Sequence, residues 1–168
     1  MRFLSGVLFG FLLVALGGVA FLATGSFNVA ATLPPGKVEK QVAGFALDKS
    51  IQKRAPAGKN PLAGNADAVR AGMAHYKEMC VTCHGAPGVD PSEIGEGLNP
   101  PAPDLTLAKV QARSDGQLFW VVQNGIRMTG MPAFGPTHKD EEVWKIVAFL
   151  RHLPELTPEE EKQLKPAE

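Results

Sequence analysis

The sequence predicts a small all-α domain that follows one long apolar segment. Two stretches, around residues 65–84 and 140–153, repeat apolar residues at the spacing of an amphipathic helix, and a capping box at residues 114–117 predicts a further helix between them. The sequence between them shows no strand-like alternation of apolar and polar residues. Residues 3–24 contain no charged side chain. A chain of 168 residues is therefore expected to hold one compact helical domain, with the apolar segment outside it.

The apolar segment is predicted to be a membrane anchor. Residues 3–24 are 22 residues long, and Ser5 and Thr24 are their only polar side chains. A helix of this length measures about 33 Å, close to the hydrocarbon thickness of a bilayer. Because a signal peptide has a shorter apolar core of about 7–15 residues, we predict that residues 1–25 are retained, with cleavage near residue 31 as the alternative. Arg2 on the leading side favours a cytoplasmic amino terminus.

Residues 26–64 differ in composition and are predicted to be a tether between the anchor and the domain. Prolines and glycines interrupt the segment, and basic residues are frequent in its second half. A short helix fits residues 38–54, with Val42, Phe45 and Ile51 on an imperfect apolar side. Such a segment suits a position over the membrane or over the domain, and a flexible linker is the alternative.

Both cysteines of the chain lie in the pentad at residues 80–84, whose Cys-x-x-Cys-His spacing is that of a c-type haem attachment site. Cys80 and Cys83 on one helical turn can form thioethers with the two vinyl groups of a porphyrin, and His84 can then ligate the iron. A thioredoxin-like redox pair is one alternative, but it needs a neighbouring strand. A zinc site is the other, and it needs four suitably spaced ligands.

A second iron ligand is expected from the loop at residues 125–134, which is rich in glycine and proline and holds two methionines. Met131 precedes a proline, which biases its backbone towards an extended conformation and stiffens the loop. Met128 has no such restraint, so we predict that Met131 is the ligand. Met128 and His138 are the alternatives, and packing in the core is the other use of a methionine.

Capping signals predict where the helices of the domain begin and end. Asn65 suits the N-cap of the helix that leads to the pentad. A capping box at residues 114–117 begins a second helix, which Gly125 ends. Pro154 ends the third helix, and a further capping box at residues 157–160 begins a short acidic helix.

Together these residues resemble a mono-haem class I c-type cytochrome, of the bacterial kind that is anchored by one N-terminal helix. Gly72 and Tyr76 precede Cys80 by eight and four residues, as in the first helix of that family. The run Gly130–Phe134 matches its distal ligand loop. The resemblance covers residues 65–154 and implies the class I cytochrome c fold, wrapped around one haem.

Residues 155–168 lie beyond the part that the resemblance covers and are expected to form a tail that contains the short acidic helix. The resemblance places Gly72 against Ile146 and Phe149 where the first and last helices cross, because a glycine lets two backbones approach closely. Acidic residues in the stretch 85–98 are expected to form a solvated surface loop. The candidates for the wall of the haem pocket, of which Trp120 fits a core position equally well, are Phe119, Trp120, Val121 and Phe134.

The cofactor implied by the resemblance is one covalently bound haem c. Cys80 and Cys83 would attach it, and His84 and Met131 would ligate its iron. The carbonyl of Pro103 would accept a hydrogen bond from the proximal imidazole and so fix the orientation of the ring.

The implied function is one-electron transfer rather than catalysis, because two axial ligands leave no iron position for a substrate. The family implies a quinol-oxidising complex or a dehydrogenase as donor and an oxidase as acceptor, in a respiratory chain on the periplasmic side of the bacterial inner membrane. A haem-bearing subunit of a larger membrane oxidoreductase complex is the alternative, and a peroxidase-like haem enzyme is a further one. With 17 basic and 17 acidic residues, the chain lacks the basic footprint of a nucleic-acid-binding protein.

Overall fold

The structure, a computed structural model, describes residues 2–165, with the side chain of Arg2 excepted. Met1 and residues 166–168, which the predicted anchor and tail include, lie outside the described residues, as does the charge of Arg2. The chain divides into two compact units between Leu33 and Pro34. The helices are α1 (Arg2–Ala23), α2 (Lys37–Arg54), α3 (Ala66–Met79), α4 (Val81–His84), α5 (Glu93–Glu96), α6 (Ala108–Gln111), α7 (Asp115–Asn124), α8 (Asp140–His152) and α9 (Pro158–Leu164).

The first unit contains α1, the helix that the apolar segment predicts. The side chains of residues 3–23 are exposed, and the stretch Phe3–Ala23 is long and apolar enough to cross a membrane. A signal sequence has the same two properties. The retained anchor therefore stays a prediction.

The second unit is helical, as predicted, and its core forms where α3 crosses α8. Gly72 lies at the crossing, where a Cβ atom would meet the carbonyl oxygen of Lys145 and lie 2.9 Å from Phe149 Cβ. The rings of Tyr76 and Phe149 pack with centroids 5.2 Å apart. The expected contact with Phe149 is confirmed. The other atoms close to Gly72 belong to the backbone of Lys145. The expected partner Ile146 follows Lys145 in the chain and is buried in the core.

The helix α7 completes this core, and its ends follow the capping signals. The hydroxyl of Ser114 and the side chain of Gln117 form the predicted capping box, and Gly125 ends the helix with a left-handed φ of 63°. Phe119 is buried and stacks on Trp144 at a centroid distance of 4.2 Å. The caps predicted at Asn65 and Thr157 are also present. Local signals thus set the ends of these helices.

A polar cluster joins α7 and α8 at the edge of the core. Asp115 accepts hydrogen bonds from Arg151 Nε and from the backbone N–H of Asn60, both at 2.8 Å. The buried side chain of Asn60 donates to the carbonyl of Trp144 at 2.8 Å. Burial raises the pKa of Asp115, but these hydrogen bonds and the Arg151 charge outweigh it and hold the pKa below its ordinary value. The carboxylate is therefore ionised in the folded protein.

The segment predicted as a tether contains α2, an 18-residue helix. Ile51 is 1% exposed, and Asp48 pairs with Arg113 at 2.7 Å, so the helix is fixed to the domain. The expectation that Val42 and Phe45 share an apolar side with Ile51 is wrong, because both are exposed. At 100° per residue, Ile51 falls about 120–180° away from them around the helix.

The end of the described chain also packs on the domain. In α9, Leu164 is buried in the core, and Glu160 lies 3.0 Å from His152 Nε2 on α8. The acidic side chains of Asp90, Glu93 and Glu96 are exposed, as expected, although the last two lie in the helical turn α5 rather than in a loop.

Candidate haem site

The pentad lies where α3 passes into α4, so helical geometry places Cys80 and Cys83 on successive parts of one turn. Both cysteines are free and half-buried. Gly85 ends α4 with a left-handed φ of 62°. The buried hydroxyl of Tyr76 donates to the carbonyl of Gly85 at 2.6 Å. This hydrogen bond fixes the end of the pentad to the core helix that precedes it.

The thiol chemistry does not favour a redox-active cysteine pair. Burial and the neighbouring Cys83 raise the pKa of Cys80 to about 12. Catalytic cysteine pairs depend on a lowered thiol pKa. Within residues 2–165, the β-type pairing consists of one isolated bridge, between Ala86 and Val89, so the strand that a thioredoxin-like site requires is missing there.

A zinc site gains no support either. No three His, Cys, Asp or Glu side chains of the described part of the chain lie close enough together to hold a metal ion. A structural zinc site needs four such ligands. The pentad therefore fits haem attachment better than either alternative.

The imidazole of His84 is oriented by the backbone of Pro103, whose carbonyl oxygen lies 2.8 Å from His84 Nδ1. A carbonyl can only accept, so Nδ1 carries the proton, and Nε2 of the neutral ring keeps its lone pair. Burial lowers the pKa of His84, and the hydrogen bond to Pro103 offsets this in part. The loop after Pro103 is fixed by Asp104, which accepts from the backbone N–H of Thr106 at 2.8 Å. A neutral, oriented imidazole of this kind suits a metal ligand.

The loop that holds the two methionines is closed by its own hydrogen bonds. The Ile126 N–H donates to the Met131 carbonyl at 3.2 Å. The Thr129 hydroxyl donates to the Ile126 carbonyl at 2.7 Å, and the Met131 N–H donates back to that hydroxyl at 3.1 Å. These contacts define the backbone of Met131 in a segment without regular structure.

Exposure separates the three candidates for the distal ligand. Met131 is half-buried, whereas Met128 is 92% exposed at a left-handed φ of 60°. The ring of His138 packs edge-on against His75 and Phe134, with centroids 5.4 Å and 5.5 Å away. The arrangement favours Met131, and its role stays a prediction.

Residues that the sequence did not single out also build the site. The hydroxyl and the N–H of Ser92 both lie 2.9 Å from the carbonyl of Thr82, so the segment before α5 is bound to the pentad. A Cβ at Gly95 would lie 2.9 Å from Cys83 Cα, and the side chain of Leu98 packs on Gly130 beside Met131. No periodic pattern or motif marks these contacts, because each joins residues that lie in single helical turns or irregular stretches and are distant in the chain.

The donor set fits a c-type haem: two thiols one helical turn apart, an imidazole with a free Nε2, and a thioether in a stiff loop.

A comparison with protein families agrees with a c-type haem protein. The family model described as "Cytochrome C oxidase, cbb3-type, subunit III" matches residues 67–150. The fold and site thus define a bacterial class I c-type cytochrome with covalently bound haem c. Within that class, the chain belongs to the family that this model describes.

Two known proteins are similar to this chain. Quinohemoprotein alcohol dehydrogenase ADH IIB of Pseudomonas putida is 32% identical over 143 residues, which cover 80% of this chain and 19% of that protein. The chain thus spans about a fifth of the length of this relative. Among solved structures, cytochrome CL of Methylophaga aminisulfidivorans MPT matches with 21% identity and a TM-score of 0.42, over 71% of this chain and 79% of that one.

Proposed function

We propose that the chain carries single electrons between redox proteins of a bacterial respiratory chain. The observation that carries the proposal is the hydrogen bond from His84 Nδ1 to Pro103, which leaves Nε2 free to ligate iron. The haem supplies a one-electron couple when it is bound. Every other contribution is structural, because the chain would attach the group and supply the ligands of its iron.

Four side chains have distinct parts in this proposal. Cys80 and Cys83 would attach the haem, His84 would supply the proximal ligand of its iron, and Met131 would supply the distal one. If both of these ligands are bound, no iron position is left for a substrate, which favours electron transfer over catalysis. A methionine ligand also raises the reduction potential relative to a second histidine.

The proposed location is the inner membrane, with α1 as a single span and the haem domain on the periplasmic side. An anchored carrier stays near membrane-bound donors and acceptors, which raises their effective concentration. The proposed donor is a dehydrogenase or a quinol-oxidising complex, and the proposed acceptor is an oxidase.

A second candidate function is that of a haem subunit in a larger membrane oxidoreductase complex. Two findings favour it: the matching family model is described as an oxidase subunit, and the similar dehydrogenase is about five times as long as the matched region. Gentle solubilisation of membranes, followed by purification and identification of the associated proteins, separates the two. A stoichiometric partner supports the subunit, and a monodisperse cytochrome supports the free carrier.

Optical spectroscopy of the ferric protein tests the ligand assignment. We expect a charge-transfer band in the red, which is typical of methionine bound to ferric haem, and we expect Met131→Ala to abolish it. Met128→Ala is the matched control and leaves the band unchanged. A wild-type protein that is high-spin and binds added cyanide or peroxide rapidly would instead be peroxidase-like, and electron transfer would be the wrong function.

A further inference from the structure

The helix α2 presents an apolar stripe to solvent on the side away from the domain. Val38, Val42 and Phe45 are 74%, 63% and 67% exposed. At 100° per residue they fall within about 60° of one another around the helix. Three large apolar side chains in one exposed row indicate an interaction surface.

The direction in which this stripe faces is fixed by the contacts of the opposite side. Ile51 is buried, Asp48 is paired with Arg113, and the turn after the helix brings the Pro56 carbonyl against Gly116. Because these contacts hold the second half of α2 on the domain, the helix cannot rotate to bury the stripe without breaking them. The stripe therefore needs an occupant from outside the unit.

Positive charge continues the same row. Lys49 and Lys53 are exposed, they follow Phe45 at four-residue steps, and Lys49 Nζ lies 5.7 Å from the centre of the Phe45 ring. The whole helix has five basic and two acidic residues, whereas the rest of the chain has twelve basic and fifteen acidic ones. The helix is thus a basic and apolar element on an otherwise acidic protein.

The chain also restricts where this helix can be. Thirteen residues join the end of α1 at Ala23 to the start of α2 at Lys37, and they reach at most about 45 Å when fully extended. They contain no charged residue, and Phe27, Val29 and Leu33 among them are exposed. If α1 spans a membrane, α2 must begin within that distance of the membrane surface.

We propose that the exposed face of α2 docks on the membrane surface, with Val38, Val42 and Phe45 in the headgroup region and Lys49 and Lys53 on anionic lipid headgroups. A basic, apolar helix face is what such interfaces bind. The inference rests on the proposed anchoring by α1. Docking through a rigidly held helix fixes the orientation of the haem domain towards the bilayer, which a flexible linker does not do.

A spin-label experiment on the full-length holoprotein in vesicles tests this. Val42→Cys and the control Lys40→Cys, on the opposite side of the same helix, each carry a nitroxide, since both native cysteines are committed to the haem. In vesicles that contain phosphatidylglycerol, the ratio of oxygen to nickel-chelate accessibility is expected to be several-fold higher at position 42 than at position 40. Pure phosphatidylcholine vesicles should reduce this difference.

Charge variants provide the second arm. The double variant Lys49→Gln, Lys53→Gln removes two cations that would bind the membrane surface. It is expected to lower the ratio of docked to undocked helix about thirtyfold. The change is measured by titration as a shift in the phosphatidylglycerol content at which the helix docks. Lys77→Gln with Lys162→Gln, at exposed positions on other helices, is the matched control and leaves the titration unchanged.

The outcomes separate this inference from the proposed function. A protein that floats with the vesicles but has position 42 as accessible to the nickel chelate as position 40 overturns membrane docking and leaves the anchor intact. Protection that appears only when a purified redox partner is added assigns the face to a protein and also overturns it. A protein that does not float overturns the anchor together with this inference. The red absorbance band reports on methionine ligation of the iron independently of membrane docking.

Discussion

The crossing of α3 and α8 has no room for a side chain at Gly72, so we predict that Gly72→Ala destabilises the protein. A Cβ there would meet the Lys145 carbonyl oxygen, with the carbonyl carbon at 2.7 Å and Phe149 Cβ at 2.9 Å. Carbon atoms pack best at about 3.5–4.0 Å. The two helices would have to separate by roughly 1 Å. The obstacle is backbone, so no rotamer change can relieve the clash.

The expected size follows from two opposing effects. A separation of about 1 Å forfeits up to half of the dispersion attraction across the crossing, and overpacking of a core typically costs 1–3 kcal/mol. Alanine in place of glycine within a helix gains about 1 kcal/mol in helix propensity. The overpacking cost lies near the upper end of the range of 1–3 kcal/mol because the clash is with backbone. The free energy of unfolding should therefore fall by about 2 kcal/mol.

The matched control is Gly44→Ala in α2, where nothing lies within 4 Å of the new Cβ. It gains the propensity without the clash and should stabilise the protein by up to about 1 kcal/mol. Guanidinium unfolding of the ferric holoprotein, followed by far-ultraviolet circular dichroism at an unchanged slope, measures both variants. A Gly72→Ala protein as stable as the Gly44→Ala protein would refute the close approach.

Two further changes probe the contacts that join the core to its edges. Tyr76→Phe leaves the carbonyl of Gly85 without its buried partner, and we expect a loss of about 1–3 kcal/mol in the free energy of unfolding, measured in the same way. The pKa of Asp115 is lower in the folded protein than in the unfolded chain, where it is about 3.9. The stability that the Asp115–Arg151 pair adds is therefore fully present above the unfolded pKa, and it is lost as the pH falls through the folded pKa. Asp115→Asn should therefore flatten the acid limb of stability against pH, and an unchanged limb would show that other carboxylates set it.

The sequence predicted those parts of the protein whose causes are local. Ser114, Asn65 and Thr157 cap their helices because each side-chain oxygen reaches a backbone N–H within the next turn. The crossing at Gly72 was expected from the resemblance to class I c-type cytochromes, which places a glycine and an aromatic residue before the first cysteine of the pentad. The pentad itself is a local motif, so the attachment part of the candidate haem site can be predicted from five consecutive residues.

The remaining features depend on contacts between residues far apart in the chain. Ser92 binds the carbonyl of Thr82 through irregular backbone, which has no periodicity to read. In α2, apolar residues lie on two opposite sides, one against the domain and one in solvent, so their sequence spacing resembles a single imperfect stripe. The helical angle separates Ile51 from Phe45, but which of the two sides packs on the domain depends on Arg113 and Gly116, more than sixty residues later in the chain.

One face of α3 connects the stability of the domain to its cofactor site. Gly72, Tyr76 and Cys80 follow one another at four-residue steps, and they provide in turn the close approach to α8, the hydrogen bond to the end of the pentad and the first thiol of the pentad. A shift of α3 at Gly72 therefore displaces the hydroxyl that holds Gly85 and the turn that carries His84. Variants that disturb the packing at Gly72 should consequently change the optical signature of the haem ligands, while variants at the exposed positions of α2 should not. This coupling is a physical reason why the resemblance to c-type cytochromes extends beyond the pentad into the helix that precedes it.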